Sequence, residues 1–480
     1  MDPFLPAWRI AELTRAGAIG CLEALDFYLD RTARLNPRVN AIILTDADRA
    51  RARARALDNT NRADGGPLFG VPMTVKESFD FTGFPTTFGY THRRDHRATA
   101  DALPVQRLEA EGAVVFGKTN VPVALADWQS FNPIYGTSCN PWNVDHTPGG
   151  SSGGSAAALA AGLTGLEMGS DIGGSIRVPA HYCGVFGHKS SWGLCASRGH
   201  SLFPSTGAFP DISVIGPLAR SAADLRIVLH AIGKPDPLDT AAHLHIPQPR
   251  ARQARHLRVA VWAGEPGQIT DATARAAVEQ AAHFLHAEGA AVNFTARPAF
   301  DPVEAYRIYL QMLDAALSQR LTDAALSHRR QGLAGLDPDD LSADAIMLRA
   351  TDMLHRDWLL LNERRNRIRR AWQAFFQDFD VVLCPVISTA ALKHDQSGNT
   401  WEREIQVDGQ SAPYNDMLFW PGITCGFHLP ATVAPVTLSP QGLPLGVQIA
   451  GPLHGDLTTI AVAEMLEQGL RPFVAPKGWD

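Results

Sequence analysis

Apolar side chains recur at helical intervals in the first part of the chain. Between residues 8 and 35 they fall three or four positions apart, and Asn36-Pro37 ends the run. This pattern predicts one amphipathic N-terminal helix. Residues 40–44 are typical of a short strand, and the Ala/Arg run 47–57 predicts another helix. Gly65-Gly66-Pro67 then breaks the pattern.

The pattern changes twice after this break. From residue 68 to about 225 the chain is rich in Gly, Ser, Pro and β-branched residues, and beyond 226 it returns to Ala, Leu and Arg. Further strands are predicted at 73–75, 113–116, 257–262, 381–385 and 446–450, helices at 270–288, 347–376 and 457–469, and a loop at 396–413.

This irregular alternation of strands and helices is typical of an α/β protein with a mixed central β-sheet covered by helices on both faces. No stretch has the composition of a flexible linker, so the 480 residues predict a single large domain, 1–480. Within it we expect a catalytic core at 65–225, a helical cover and substrate pocket at 226–420, and a C-terminal part of the core at 421–480.

Composition excludes several classes of protein. The hydrophobic fraction of 45% and the charged fraction of 19% are those of an ordinary globular chain. The net charge of −6 leaves no basic excess. Solvated helix faces explain the arginines of 49–55 and 364–370, so no nucleic-acid partner is expected.

The start of the chain, its apolar runs and its cysteines indicate where the protein is located and whether it binds a metal. No apolar run reaches the roughly 18 residues that cross a bilayer, and Met1 to Arg9 lack the charged and apolar regions of a secretory signal. We therefore expect a cytoplasmic protein without membrane contact. The 6 cysteines are scattered with no CxxC pair, which favours free buried thiols over a metal site.

Two motifs suggest chemistry that their surroundings contradict. Gly112 to Thr119 satisfies the phosphate-loop pattern GxxxxGK[ST], but the residues between its glycines resemble a buried strand, and Pro122 would break the helix that the motif requires. Gly149 to Gly153 fits the GxSxG motif of α/β-hydrolases, which should follow a hydrophobic strand. The preceding residues, 140–148, have the composition of a loop, which disfavours a Ser-His-Asp triad.

The stretch from Thr147 to Gly187 combines two glycine-rich turns. The first runs directly into the helix-forming segment SAAALAAGL, unlike a flexible Gly/Ser linker, and the second, DIGGS, follows. So many glycines indicate close approach of the backbone. The amides of the second turn, beside the hydroxyl of Ser175, predict a site for the negative oxygen of a tetrahedral intermediate.

A serine nucleophile needs a base to remove its proton. His181 and His188 lie nearest in sequence, but neither has an obvious carboxylate partner. Lys76 ends the apolar segment 68–75, where burial would lower its pKa and make the neutral amine available. A lysine that faces water at the end of a strand is the alternative interpretation of Lys76.

These segments resemble the amidase signature family over roughly residues 65–225 and again from 429 to 452. The lysine segment is GVPMTVKE, the first serine loop GGSSGGS, the nucleophile loop DIGGSIRVPAHYCGVFGHK, and the C-terminal segment LPATVAPV followed by GLPLGVQIAGP. The spacing of Lys76, Ser151 and Ser175 is also similar to that of family members.

The resemblance implies a Ser-Ser-Lys triad in an amidase that needs no metal or organic cofactor. Ser175 would attack the carbonyl of a small-molecule amide and carry the acyl group. Ser151, following a cis Gly150-Ser151 peptide bond, would relay the proton, and Lys76 would be the final base.

The resemblance also places residues around this triad. Asp171 and Arg177 would hold the glycine turn, and Ser152 would support its own loop by hydrogen bonding. The oxyanion hole would consist of the amides of Ile172, Gly173, Gly174 and Ser175. The substrate would contact Leu125, Ala126, Trp128 and Ser152, with Asp127 close by, although Trp128 could equally pack in the core.

We expect the substrate to be a small, uncharged aryl or alkyl amide. One set of apolar side chains could line its pocket or could pack in the core: Tyr306, Tyr309, Met312, Leu313, Trp401, Tyr414 and Trp420. Carbamate or ester hydrolysis by the same triad is an alternative. Another is the family's glutaminase subunit of the tRNA-dependent amidotransferase, although the residues around Ser175 depart from that subunit's usual threonine and glutamine. The resemblance is compatible with a homodimer.

Overall fold

A central sheet of eleven strands organises the residues that the computed structural model describes, which are 1–202, 208, 210–237 and 246–480. Two small hairpins stand apart from this sheet. The strands are β1 (Ile42–Thr45), β2 (Pro72–Lys76), β3 (Val114–Thr119), β4 (Phe131–Asn132), β5 (Gly136–Thr137), β6 (Glu167–Asp171), β7 (Phe186–Lys189), β8 (Val214–Ala219), β9 (Arg258–Val261), β10 (Ala291–Asn293), β11 (Val381–Cys384), β12 (Glu404–Val407), β13 (Gln410–Pro413), β14 (Ala431–Leu438) and β15 (Pro444–Ala450).

The sheet is mixed, as the sequence predicts. Its order is β1-β3-β2-β6-β8-β7-β14-β15-β11-β9-β10. Strand β2 is parallel to both neighbours, β3 and β6, whereas β8, β7, β14 and β15 join one another in antiparallel pairs. Because β2 and β6 are parallel, their carboxyl ends lie at the same edge of the sheet.

Helices cover the sheet on both faces. They are α1 (Ala7–Arg15), α2 (Cys21–Leu35), α3 (Ala47–Asp58), α4 (Leu103–Ala110), α5 (Gly153–Ala160), α6 (Arg177–Cys183), α7 (Ala222–Ile232), α8 (Ala272–Ala287), α9 (Pro302–Ser318), α10 (Asp323–Ala334), α11 (Ala343–Arg349), α12 (His355–Asp378), α13 (Phe419–Cys425) and α14 (Asp456–Gly469).

The two covered faces are visible in how single strands divide their side chains. On β11, Val381 and Leu383 join one apolar cluster, while Val382 and Cys384 join another. Successive side chains of a strand point to opposite faces of a sheet, so each cluster lies on its own face. A sheet buried on both faces explains why its strands are nearly continuous apolar runs.

The predicted helix over residues 8–35 is wrong, because the chain breaks into α1 and α2. Gly17 adopts a φ of 71° between them, a left-handed conformation that glycine tolerates and that ends a helix. Each new N-terminus is capped by a distant carboxylate. Asp224 accepts from the amides of Ala7 and Trp8, and Asp58 accepts from the first amides of α2.

Two further predictions need correction. The helix expected over 347–376 is interrupted, since α11 ends at Arg349 and α12 begins at His355. No proline or glycine lies between them, so the sequence carries no breaking signal. The loop expected over 396–413 contains the hairpin β12–β13, whose turn at Asp408-Gly409 has positive φ at both residues, a common hairpin connection.

We predict that Asp58→Ala weakens the start of α2. Asp58 Oδ1 lies 2.8 Å from the Cys21 amide and Oδ2 lies 3.0 Å from the Leu22 amide. Loss of such a cap costs about 1–2 kcal/mol, so hydrogen exchange of the first-turn amides of α2 should accelerate severalfold. The matched control is Asp48→Ala, an exposed carboxylate in the first turn of α3. Equal exchange in α2 of wild type and Asp58→Ala would contradict the capping role.

Candidate active site

Three segments meet at the shared carboxyl edge of β2 and β6. Lys76 is the last residue of β2, the loop 149–152 leads into α5, and the turn 172–176 leads from β6 into α6. The Ser152 amide donates to the Ser175 carbonyl at 3.1 Å. The structure thus brings the two serine loops together beside the lysine.

Lys76 is fully buried at this edge. Its Nζ lies 2.6 Å from Ser151 Oγ and 3.0 Å from Ser170 Oγ. Burial holds the pKa of Lys76 well below its ordinary value, Asp171 raises it and Arg320 lowers it further. The interpretation of Lys76 as a lysine facing water is therefore wrong.

Ser170 is a contact of Lys76 that the sequence analysis missed. It precedes Asp171 at the end of β6, and its hydroxyl is the second oxygen within hydrogen-bonding distance of the amine. The signal for it would have been the pairing of β2 with β6. Sequence periodicity predicts strands but not their neighbours.

As expected, Asp171 and Arg177 hold the turn 172–176, which is named the nucleophile turn after the expected role of Ser175. Arg177 Nε and Nη2 donate to the two carboxylate oxygens at 3.0 Å and 2.8 Å, and both side chains are fully buried. Burial alone would raise the pKa of Asp171, but the Arg177 guanidinium lowers it below its ordinary value. The same carboxylate accepts from the amides of Gly174 and Ile176.

This arrangement changes the expected oxyanion hole. The Gly174 amide donates to Asp171 Oδ1 at 2.8 Å, so it is already occupied. Among the described residues, the amides of Ile172, Gly173 and Ser175 donate to no other group. Three of the four predicted amides are therefore available for a negative oxygen.

The first serine loop packs tightly against residues 127–129. The Gly150-Ser151 peptide bond is cis, as the resemblance implies. A Cβ atom added at Gly150 would lie 2.3 Å from the Asp127 carbonyl oxygen and 2.9 Å from the Gln129 amide nitrogen. Only glycine fits at this position.

A cavity of about 520 Å³ opens beside Ser175, within the size range of small-molecule sites. Its described lining is mostly apolar and comes from residues 122–131, the nucleophile turn, helices α9 and α11, and residues 398–418. The lining residues are Pro122, Val123, Leu125, Ala126, Asp127, Trp128, Phe131, Ile172, Gly173, Ser175, Leu313, Leu317, Met347, Gly398, Asn399, Thr400, Trp401, Arg403, Tyr414, Asn415 and Leu418.

The predicted substrate contacts divide into two groups. Leu125, Ala126 and Trp128 line the cavity, and Trp128 also donates from Nε1 to the Gly173 carbonyl at 2.9 Å. Ser152 does not line it, because its side chain is fully buried and its hydroxyl faces the Ser170 carbonyl at 3.4 Å.

The aromatic and apolar candidates divide in the same way. Leu313, Trp401 and Tyr414 line the cavity. Tyr309 lies behind it, with its hydroxyl 3.2 Å from the Ile172 carbonyl. The remaining candidates pack in the apolar core, and these are Tyr306, Met312 and Trp420.

The phosphate-loop-like segment and the two histidines lie outside this site, whereas the Gly149 to Gly153 motif is the loop that carries Ser151. Most of the segment Gly112 to Thr119 forms strand β3, where the buried Lys118 amine donates to two backbone carbonyls and to the Thr86 hydroxyl. His181 accepts from the Gly446 amide, and burial lowers its pKa to about 4. His188 bonds to Asp456 and Thr432 away from the cavity. Neither histidine is placed to act as the base.

Two other kinds of site are absent from the described residues. Across the described ranges, no group of three or more His, Cys, Asp and Glu side chains is arranged to hold a metal ion. None of the described helices combines the length and apolar character needed to cross a membrane.

Comparison with known proteins identifies the family of this chain. The family model described as Amidase matches residues 23–460. Indoleacetamide hydrolase of Bradyrhizobium diazoefficiens is 33% identical over 95% of this chain and 86% of its own. One subunit of the glutamyl-tRNA(Gln) amidotransferase of Lysinibacillus sphaericus is 30% identical over 95% of this chain and 94% of its own.

Solved structures show the same fold. A 6-aminohexanoate cyclic dimer hydrolase in complex with its substrate has a TM-score of 0.80 at 26% identity and covers 100% of both chains. A bacterial aryl acylamidase of the amidase signature family superposes with a TM-score of 0.81 at 23% identity over 98% of this chain and 96% of its own. The chain therefore belongs to the amidase signature family of hydrolases, which act on amide C–N bonds.

Proposed function

We propose that the chain hydrolyses small, uncharged aryl or alkyl amides through a serine acyl-enzyme, with Ser175 as nucleophile, Ser151 as proton relay and Lys76 as base. The observation that carries this proposal is the 2.6 Å contact between Lys76 Nζ and Ser151 Oγ in a fully buried setting. An amine whose pKa is lowered by burial can be neutral at ordinary pH and accept a hydroxyl proton.

In the acylation step, Ser175 Oγ attacks the amide carbonyl carbon. Its proton passes to Ser151 Oγ while the Ser151 proton passes to Lys76 Nζ. The negative oxygen accepts from the unoccupied amides of the nucleophile turn. The proton then returns through Ser151 to the leaving nitrogen, and the C–N bond breaks. Water cleaves the acyl-enzyme by the reverse route, which releases the carboxylate.

The lining of the cavity supports the substrate class. Asp127 and Arg403 are the charged side chains among the described lining residues, and they pair with each other at 2.7 Å. The rings of Trp128, Phe131 and Tyr414 offer flat apolar surface, which suits an aryl group. The similarity to indoleacetamide hydrolase, whose name specifies an amide that carries an aromatic ring, supports the same class.

The alternatives differ from this proposal in what they require of the cavity. Carbamates and esters need the same triad and differ in the leaving group. Glutamine carries an ammonium and a carboxylate, and burying either without a partner is costly. Since the charges of Asp127 and Arg403 already neutralise each other, the cavity favours neutral amides over glutamine, despite the similarity to the amidotransferase subunit.

The proposal also gives each part of the chain a task. Residues 65–225 supply the triad and one wall of the cavity, and residues 226–420 supply the opposite wall through α9, α11 and the segment 398–418. Residues 421–480 support the nucleophile turn, since Thr424 Oγ1 accepts from Arg177 at 2.7 Å.

We predict that Lys76→Met lowers kcat for a neutral amide by about 10²–10⁴-fold, because a thioether cannot accept the relayed proton. Steady-state hydrolysis of phenylacetamide at pH 7 measures this. The matched control is Lys118→Met, which removes an equally buried lysine from the neighbouring strand β3. Its folded fraction should retain kcat.

The pH profile gives a second test of Lys76. The ammonium form of Lys76 cannot act as a base. We therefore expect kcat/KM to have its full value at pH above the lowered pKa of Lys76 and to fall as the pH drops below that pKa. Activity should therefore persist at neutral pH. A rate that increases only as the pH approaches the ordinary lysine value of 10.5, or full activity in Lys76→Met, would contradict the proposed base.

We predict that a fluorophosphonate labels the wild type and does not label Ser175→Ala, because Ser175 is the proposed nucleophile that lines the cavity. Intact-protein mass spectrometry measures the adduct. Ser190→Ala is the control, since Ser190 is a buried serine whose hydroxyl donates to the Ile215 carbonyl. Equal labelling of Ser175→Ala and wild type would place the nucleophile elsewhere.

We predict that phenylacetamide and indole-3-acetamide are hydrolysed with higher kcat/KM than glutamine, by a factor of at least about 10², because the charges of glutamine would be buried without partners. Ammonia release measures all three rates. The matched ester and carbamate are assayed beside them and rank the leaving groups. Preferred hydrolysis of glutamine would overturn the proposed substrate class.

A further inference from the structure

A buried ion pair joins two distant segments at the wall of the cavity. Arg403 Nη1 lies 2.7 Å from Asp127 Oδ2, and the side chains are 4% and 8% exposed. Arg403 also donates to the carbonyls of Ser397 and Gly398. The hydroxyl of Tyr414 donates to Asp127 Oδ1 at 2.7 Å.

A second set of contacts fixes the same two segments together. Gln129 and Asp395 exchange two hydrogen bonds, from Nε2 to the Asp395 carbonyl and from the Asp395 amide to Oε1. The rings of Trp128 and Tyr414 lie 5.4 Å apart. The segment 395–403 is therefore attached to residues 127–129 at both of its ends, and Tyr414 packs against the same residues.

Residues 127–129 in turn contact both serine loops. The Trp128 indole donates to the Gly173 carbonyl at 2.9 Å, within the nucleophile turn. The Asp127 carbonyl lies against Gly150, next to Ser151, so closely that a Cβ atom there would be 2.3 Å away. Residues 127–129 thus contact both the loop that holds Ser175 and the loop that holds Ser151.

Stability alone does not account for this ion pair. Burial raises the pKa of Asp127 even though Arg403 and Tyr414 oppose the rise. Removing two charges from water costs free energy that can exceed what their attraction returns, so a buried ion pair is weak evidence for stabilisation. The pair joins the cavity wall to residues 127–129, and these residues contact both serine loops, which indicates a role in geometry.

We propose that Arg403 is a positioning residue, which acts through Asp127 and Trp128 to hold both serine loops in the geometry for acylation. The inference rests on the proposed function, because it takes Ser175 and Ser151 as the reacting groups. The segment 395–403 then has two roles, because it shapes the cavity and also aligns the proposed nucleophile. A misplacement of about 1 Å at such a point can cost on the order of 10²-fold in rate.

Inactivation by two sulfonyl fluorides of different size distinguishes an effect on the alignment of Ser175 from an effect on the shape of the cavity wall. Methanesulfonyl fluoride carries only a methyl group, whereas phenylmethanesulfonyl fluoride carries a phenyl ring large enough to reach the aromatic side chains of the cavity wall. Arg403→Lys keeps the charge but loses the forked head that reaches Asp127 and two carbonyls. We expect both reagents to inactivate Arg403→Lys about tenfold more slowly than wild type, since the nucleophile itself is misaligned.

Arg365→Lys is the matched control. Arg365 is also 4% exposed and binds both oxygens of Asp211 at 2.9 Å and 2.8 Å, but it does not line the cavity. Its inactivation rates should equal those of wild type. A loss in Arg403→Lys confined to the larger reagent would mean that Arg403 only shapes the wall, and unchanged rates with both reagents would also overturn the proposal.

A double-mutant cycle tests the path through Trp128. Trp128→Phe removes the indole donor to Gly173, so adding Arg403→Lys should slow inactivation by less than the product of the single effects. If the effects of the two substitutions on the inactivation rate simply multiply, Arg403 does not act through Trp128 and the proposal is overturned. If Arg403→Lys does not fold, Tyr414→Phe removes one hydroxyl from the same carboxylate and enters the same cycle. Ser175→Ala is treated with both reagents first, and a sulfonyl adduct on that variant in intact-protein mass spectrometry would reject the proposed nucleophile rather than Arg403.

Discussion

The removal of one amine from water is the constraint on which the rest of the site depends. Lys76 can accept a proton only if its neutral form is stable, and full burial at the end of β2 provides that condition. The nearby carboxylate of Asp171 works in the opposite direction, because its negative charge favours the ammonium form. The buried guanidinium of Arg177 binds both oxygens of that carboxylate and compensates its charge. Burial remains the dominant influence, so the pair can hold the turn 172–176 while the pKa of Lys76, the proposed base, stays below its ordinary value.

Burial of this kind demands close packing around the loops, and the small residues of the chain meet that demand. Helix α5 is built from Gly, Ala, Ser and Leu and is buried along its whole length. At Gly154 a Cβ atom would lie 2.3 Å from the Asn120 amide nitrogen, so even alanine would force the helix away. The glycines therefore allow two turns and a helix to exclude water from the lysine.

Much of the fold and the site could be predicted because the informative residues are close in sequence. The motifs around Lys76, Ser151 and Ser175 are each contiguous in sequence and carry the family resemblance, and the irregular alternation of strands and helices predicted a mixed sheet. Contacts between remote positions could not be predicted in this way. Ser170 reaches Lys76 through the pairing of β2 with β6, and Arg403 reaches Asp127 across much of the chain. No local propensity encodes either contact.

The wall of the cavity and the proposed catalytic side chains lie in different kinds of segment. Lys76 and the serines lie at buried strand ends and helix starts, whereas residues 398–401 belong to a surface segment in which Trp401 is 47% exposed. Surface segments tolerate substitution and insertion far better than a sheet does. Evolution can therefore redirect such an enzyme to another amide by altering this segment and leaving the sheet unchanged. Anchorage through Arg403 sets the limit, because a divergent segment must still keep its attachment to residues 127–129.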